Sequence, residues 1–189
     1  MSSHSCQAPA AVVLIRPSRF YPNPETAIDN VFQRTTNLQN SAEMAAIAEA
    51  ANIEVMRAAD ALERAGVRTH VFDDDGERGT PDSVFPSNWF STHHGGRIVL
   101  YPMKSINRRR ERRPDVVEML KSEYRLREVF DYSGFEYERV YLEGTGAMVL
   151  DHVARIAYCA CSRRSDPIAM QRFCAHFNFE PVTFSTLHQ

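Results

Sequence analysis

The sequence has no apolar run approaching the roughly 18 residues that a membrane-spanning helix needs. Its start, Met1-Ser2-Ser3-His4, lacks the basic cluster and apolar stretch of a secretory signal peptide. A CxxC pair and a regular cysteine framework are missing too: the four cysteines stand at positions 6, 159, 161 and 174. These absences argue against a membrane partner and a disulfide scaffold, and they make the cytoplasm, with reduced thiols, the expected compartment. The histidines, His93-His94 included, have no spacing to Cys or Asp that fits zinc. No metal and no other cofactor is therefore expected. Nor is one sign of charge in excess. With 22 Lys+Arg against 24 Asp+Glu the net charge is −2, so no global field steers the protein to nucleic acid.

What is present is an ordinary globular composition, 43% hydrophobic over 189 residues, which predicts one domain spanning 1–189. Ala11-Val12-Val13-Leu14-Ile15 is continuously apolar and reads as a strand buried on both faces, with Arg16-Pro17 turning out of it. Ser41 to Ala65 has no Pro or Gly and reads as a helix, capped by Ser41 and ended by Gly66. Val67 to Phe72 alternates as a strand, and Asp73-Asp74-Asp75-Gly76 closes it. Val84 to Ser91 reads as the next strand, His93-His94-Gly95-Gly96 as a hairpin turn and Arg97 to Tyr101 as the return. A helix over 114–124 and a short strand at Val129-Phe130 follow. Arg139 to Leu142, a Gly-Thr-Gly turn, Ala147 to Leu150, Arg155 to Cys159, a helix over 166–177 and a strand over 181–184 complete the chain.

Strand, strand, helix, strand thus occurs twice clearly and once in degraded form. Arg97-Ile98-Val99-Leu100 and Arg155-Ile156-Ala157-Tyr158 hold matching places, as a repeat of α/β modules would require. The plainer alternative is one mixed α/β sheet with helices packed on it.

Two stretches carry chemistry. In Pro81-Asp82-Ser83-Val84-Phe85-Pro86-Ser87-Asn88-Trp89-Phe90, Asp82 and Asn88 have an even offset, which on one extended strand puts both on the same face. A carboxylate and an amide so placed can fork onto a planar N–C–N group. The bland reading is that Asp82 caps a turn and Asn88 ends a strand. In Tyr141-Leu142-Glu143-Gly144-Thr145-Gly146, a glutamate sits between apolar strands beside a flexible turn. If buried it must be paired, and it could fix the tautomer of a histidine; otherwise it is an exposed Glu at a hairpin mouth.

Pro-Asp-Ser-Val-Phe with Asn88, and Leu-Glu-Gly about fifty residues on, resemble the guanidino-group-modifying superfamily. That family includes amidinotransferases, arginine deiminases and dimethylarginine dimethylaminohydrolases. Phe-Pro-Ser-Asn-Trp-Phe-Ser-Thr-His, Tyr-Pro-Met, Asn-Arg-Arg-Arg-Glu-Arg-Arg, Asn23-Pro24-Glu25-Thr26 and Asn30-Val31-Phe32-Gln33 are most similar to the branch named for citrulline utilisation. The resemblance implies a pentein fold, an α/β-propeller of five ββαβ modules. Here about three would be present, roughly 8–75, 80–132 and 138–185, giving an incomplete propeller. It implies that a cysteine attacks the guanidino or ureido carbon of an arginine- or citrulline-like small molecule while a histidine moves protons. Carried over by position, Asp82 and Asn88 grip the substrate, Glu143 orients the histidine, and Arg108 and Arg164 hold the substrate's α-carboxylate, a use suited to a planar fork. For the two arginines the alternative is a solvated basic loop.

The sequence departs from the family at Gly146, where many relatives have an aspartate. The family's nucleophilic cysteine and catalytic histidine come later in a longer chain, whereas this one ends at Leu187-His188-Gln189. It therefore reads as the N-terminal portion of a hydrolase or amidinotransferase, inactive alone. Cys159 and Cys161 share a strand face but fall on a scaffold strand and are expected to be inert. A second reading is a non-catalytic fragment or binding module that joins a partner chain or self-associates through exposed module edges. A third, a generic α/β binding protein, treats the motif match as accidental.

Overall fold

Ala11–Pro17 (β1) lies parallel to Arg68–Asp74 (β2), in register from Ala11↔Arg68 to Pro17↔Asp74. The long connection between them holds the helix Ser41–Arg64 (α1), as a parallel pair requires. The computed structural model describes residues 7–28, 33 and 41–185; Cys6, Asn30-Val31-Phe32 and Leu187-His188-Gln189 lie outside the described residues. Gly66 ends α1 at φ +84°, the left-handed conformation that a glycine adopts without a Cβ penalty. The expectation that β1 is buried on both faces is corrected. Only Ile15 and Pro17 are buried, because a single helix covers one face of a two-stranded sheet. Nor does β1 stop at Ile15: Arg16 pairs with Asp73 across the strands at 2.5 Å, and pairing runs on to Pro17.

The described residues divide into two compact units. The first holds 9–86 and 105–116: β1, α1, β2, a turn-rich stretch around Asp82 and the short helix Ile106–Arg109 (α2). In the second, which holds 87–104 and 117–185, the hairpin Phe90–His93 (β3) and Arg97–Leu100 (β4) turns at His94-Gly95-Gly96. Gly96 has φ +72°, and a Cβ there would lie 2.7 Å from the Arg125 carbonyl oxygen, so the turn needs glycine. The helix Pro114–Tyr124 (α3) leads to Glu128–Asp131 (β5), which runs parallel to β4.

Met148–Asp151 (β6), Ile156–Cys161 (β7), the helix Pro167–Phe177 (α5) and Glu180–Ser185 (β8) repeat that pattern, antiparallel and then parallel. A single-turn helix, Gly144–Ala147 (α4), precedes them. Asp166 caps α5 by accepting the Ile168 N–H at 2.8 Å. The echo between the Arg97 and Arg155 segments is structural: one opens and the other immediately precedes the middle strand of its sheet. Their guanidinium groups lie over Phe177 and Phe179, at 5.0 and 3.8 Å from the ring centroids. The core of this unit is aromatic, with Phe173 stacked on Phe177 and Phe179 and closed by Tyr101, Leu142, Met148 and Met170. Among the described residues the architecture is a mixed α/β fold of three open sheets, one of two strands and two of three.

Three sequence expectations fail here. Val84 to Ser91 is not a strand; Pro86–Asn88 is a 3-10 turn and β3 starts at Phe90. Pro81 and Pro86 cannot donate to a ladder, and the residues between them turn through Ser83 N–H to Thr80 O (3.1 Å) and Phe85 N–H to Asp82 O (3.0 Å). The same-face argument for Asp82 and Asn88 falls with that strand. Arg139 to Leu142 is not a strand either. A 3-10 turn fills Ser133–Glu138, Arg139 breaks the extended path at φ 59°, and only Leu142 bridges, to Ser165. The Gly-Thr-Gly turn is wound into α4.

Candidate active site

In the first unit Asp82 sits in the turn between the two prolines, its side chain 15% exposed. Its Oδ2 accepts a hydrogen bond from Asn23 Nδ2 at 2.7 Å. Asn23 and Asn107 exchange amide bonds, Asn107 Nδ2 to Asn23 Oδ1 at 2.7 Å and Asn23 Nδ2 to Asn107 Oδ1 at 3.2 Å. Glu25 closes the group from both ends: its N–H donates to Asn23 Oδ1 and its carboxylate accepts the Asn107 N–H. Arg108, carried by α2, is not a solvated basic residue. It is 2% exposed, forks onto buried Glu111 with two bonds of 3.0 Å, and lies 3.7 Å from Asp82.

In the second unit Glu143 is fully buried, which removes the exposed-hairpin alternative. Its Oε1 accepts the Lys104 N–H at 3.0 Å, and its own N–H donates to the Arg164 carbonyl at 3.1 Å. Arg164 Nη1 stands 3.6 Å from Glu143 Oε2, an ion-pair distance rather than a hydrogen bond. The local sequence explains the placement. Ser162 and Ser165 join through their hydroxyls at 2.8 Å, Ser162 Oγ accepts the Arg164 N–H, and Leu142 bridges to Ser165. That tight turn sets Arg164 opposite the segment leading to Glu143.

Asn88, half-buried, also lies in this unit, where its Oδ1 accepts from the Thr145 hydroxyl at 3.1 Å; the same hydroxyl is 2.8 Å from Ser87 Oγ. The two glycines of α4 allow this approach. A Cβ on Gly144 would collide with the Ser87 carbonyl oxygen, and one on Gly146 would sit 3.2 Å from Asn88 Oδ1. The structure thus joins Asp82 with Arg108 in one unit, and Glu143 with Arg164 in the other.

Two of the described thiols, Cys159 and Cys174, are not poised for attack. Burial raises the Cys159 thiol and pushes Cys174 up to about 11, so both stay protonated at neutral pH. His93 is a core histidine. Burial, then the neighbouring His152 and Arg97, holds it down to about 3, and it packs against Phe177 with ring centroids 4.4 Å apart. Sequence reasoning missed Asn23, Asn107, Glu111 and Thr145 as site-building residues. All four lie inside motifs already singled out, but an amide pair separated by 84 positions leaves no local spacing to read.

The chain has no match among curated proteins. Among solved structures it is similar to dimethylarginine dimethylaminohydrolase as an adduct with S-methyl-L-thiocitrulline: 16% identity, TM-score 0.62, covering 95% of this chain and 62% of that one. It is similar to the substrate-bound N-terminal domain of ArgZ, an arginine dihydrolase of the ornithine-ammonia cycle in cyanobacteria: 15% identity, TM-score 0.58, covering 94% and 58%. Unliganded AgrE gives 16% identity and TM-score 0.62, covering 94% of this chain and 23% of AgrE. The chain therefore spans about three fifths of the single-domain relatives. These likenesses show a shared fold, and the family match over residues 16–189 bears out the resemblance to the guanidino-group-modifying superfamily. Residues 16–189 match the family described as N,N dimethylarginine dimethylhydrolase, eukaryotic, and the chain belongs to that family.

Proposed function

We propose that this chain supplies the substrate-holding part of a hydrolase that breaks a C–N bond in the guanidino or ureido group of an arginine- or citrulline-like molecule. The observation that carries the reading is that the two acidic candidates are built in, each beside an arginine: Asp82 with Arg108, and fully buried Glu143 with Arg164. A carboxylate held so firmly costs folding free energy, which a binding or positioning role explains better than packing does.

In this reading Asp82 and Asn88 are each substrate-binding residues, Asp82 as an acceptor of N–H groups and Asn88 as an amide that donates and accepts. Arg164 holds the α-carboxylate, Arg108, buried and forked onto Glu111, braces Asp82, and Glu143 orients the histidine that moves protons. The reaction is that of the family: a thiolate adds to the central carbon, the adduct expels the amine as the histidine donates a proton, and water releases the product. In an amidinotransferase an acceptor amine replaces that water. Cys159 and Cys174, buried as thiols, are not assigned the attack. The three sheets correspond to three of the five modules of a pentein propeller.

The test is calorimetric titration of the chain with L-citrulline, L-arginine and asymmetric dimethylarginine, with norleucine as control. Saturable binding of at least one of the three, absent for norleucine, is expected. Equal or no binding throughout would overturn the reading.

One observation favours a second reading, a binding module that associates with another chain. Val149, Tyr158 and Val182 form a cross-strand row on the last sheet, 67, 39 and 38% exposed, more apolar surface than a strand usually leaves in water. Sedimentation equilibrium tests the case in which that other chain is a second copy: a monomer at micromolar concentration removes it.

A further inference from the structure

The Asp82 carboxylate is a short side chain in a turn, not part of any strand, yet its Oδ2 is held at 2.7 Å by an amide 59 positions away. That amide belongs to Asn23, which is 1% exposed, and Asn107, which fixes it, is 5% exposed. A buried primary amide offers two N–H donors and one carbonyl oxygen. Every one of them is used in Asn23: Nδ2 donates to Asp82 and to Asn107, and Oδ1 accepts from Asn107 and from the Glu25 N–H. The reciprocal bonds to Asn107 decide which way the Asn23 amide faces, so the N–H that reaches Asp82 is set by a second residue. Asn107 in turn is anchored at its backbone by the Glu25 carboxylate at 3.1 Å.

From this the geometry points to Asn23 as a positioning residue for substrate recognition, with Asn107 fixing its amide. Asn23 pins one oxygen of Asp82, so the carboxylate keeps one rotamer for its ligand. The inference rests on the reading that Asp82 contacts substrate. Charged groups facing Asp82 are Arg108 at 3.7 Å, with Glu111 behind it, and Glu25 across the amide pair.

Asn23→Asp keeps the shape of the side chain but replaces the donor with a second carboxylate. It should weaken L-citrulline or L-arginine binding by about tenfold to a hundredfold, the range for a hydrogen bond to a charged group. In the folded variant the Asp82 side-chain carboxyl NMR signal should also move while those of Glu118 and Asp131 stay in place, a change that general loosening of the fold does not produce. Asn107→Leu leaves the Asn23 donor in place and removes its guide, so it should cost less, about threefold to tenfold. Melting curves identify a variant that fails to fold. For that case the wild-type chain and Asp82→Asn are compared by side-chain amide NMR, where the Asn23 Nδ2 resonances should be the ones displaced.

If Asp82→Asn abolishes binding while folded Asn23→Asp and Asn107→Leu bind within twofold of wild type, with an unmoved Asp82 carboxyl signal in Asn23→Asp, the positioning role is wrong and the site reading stands. Asn23 Nδ2 resonances left in place by Asp82→Asn would overturn the role in the same way. If Asp82→Asn itself binds normally, the site reading falls and this inference with it.

Discussion

Replacing Glu111 by alanine should destabilise the protein far more than loss of an ordinary ion pair. Arg108 and Glu111 have side chains 3 and 1% exposed, joined by two parallel bonds of 3.0 Å. Removing the acid strands a guanidinium away from water, a loss measured at 3–5 kcal/mol for buried pairs, against about 0–1 for exposed ones. Asp82 at 3.7 Å takes up part of the orphaned charge, which places Glu111→Ala at the lower end, about 3 kcal/mol. Urea unfolding of the full chain reads this directly, as a lower midpoint with an unchanged m-value. The double variant Arg108→Met/Glu111→Leu leaves no charge behind and should return to within about 1 kcal/mol of wild type. A loss below about 1 kcal/mol for Glu111→Ala, or a double variant as unstable as the single one, would refute the reasoning.

His93 is depressed to about 3 in the fold against 6.5 for the free side chain, so the unfolded chain takes up a proton first. Stability should be full above about pH 6.5 and fall by up to about 1.4 kcal/mol per unit below it; acid titration of His93→Phe should show a flatter decline. Buried Cys174 should resist Ellman's reagent in the native state and react only on unfolding; fast native labelling of this thiol would contradict its burial. Gly144→Ala should cost on the order of 1–3 kcal/mol by thermal denaturation, because the added methyl meets backbone at Ser87, and Gly146→Ala should cost less, since it presses only on the Asn88 side chain.

Helices and hairpins were legible because their signals are local. The Pro-free run ended by Gly66 and the Gly95-Gly96 turn each state their own geometry. The Arg97 and Arg155 echo also survived, as matching places on the middle strands. Strands failed where apolar residues are held by turns instead. Val84 and Phe85 lie between two prolines, and Val140 follows a left-handed Arg139. The site was half legible. Glu143 was singled out as a glutamate out of place among apolar residues, and its burial agrees; no role for it follows from burial alone. Arg108 was legible as a residue but not in its setting, since its fork onto Glu111 depends on α2 winding three positions into one turn. Asn23 and Asn107 could not be paired from sequence, because nothing local links an amide in one loop to an amide in another.

The most direct test is an NMR titration of the isotope-labelled chain with L-citrulline and L-arginine, following the side-chain carboxyl, amide and guanidinium signals. The account predicts saturable shifts at Asp82, Asn88 and Arg164, with exposed Arg110 unmoved. Shifts confined to other residues, or none at millimolar ligand, would contradict it.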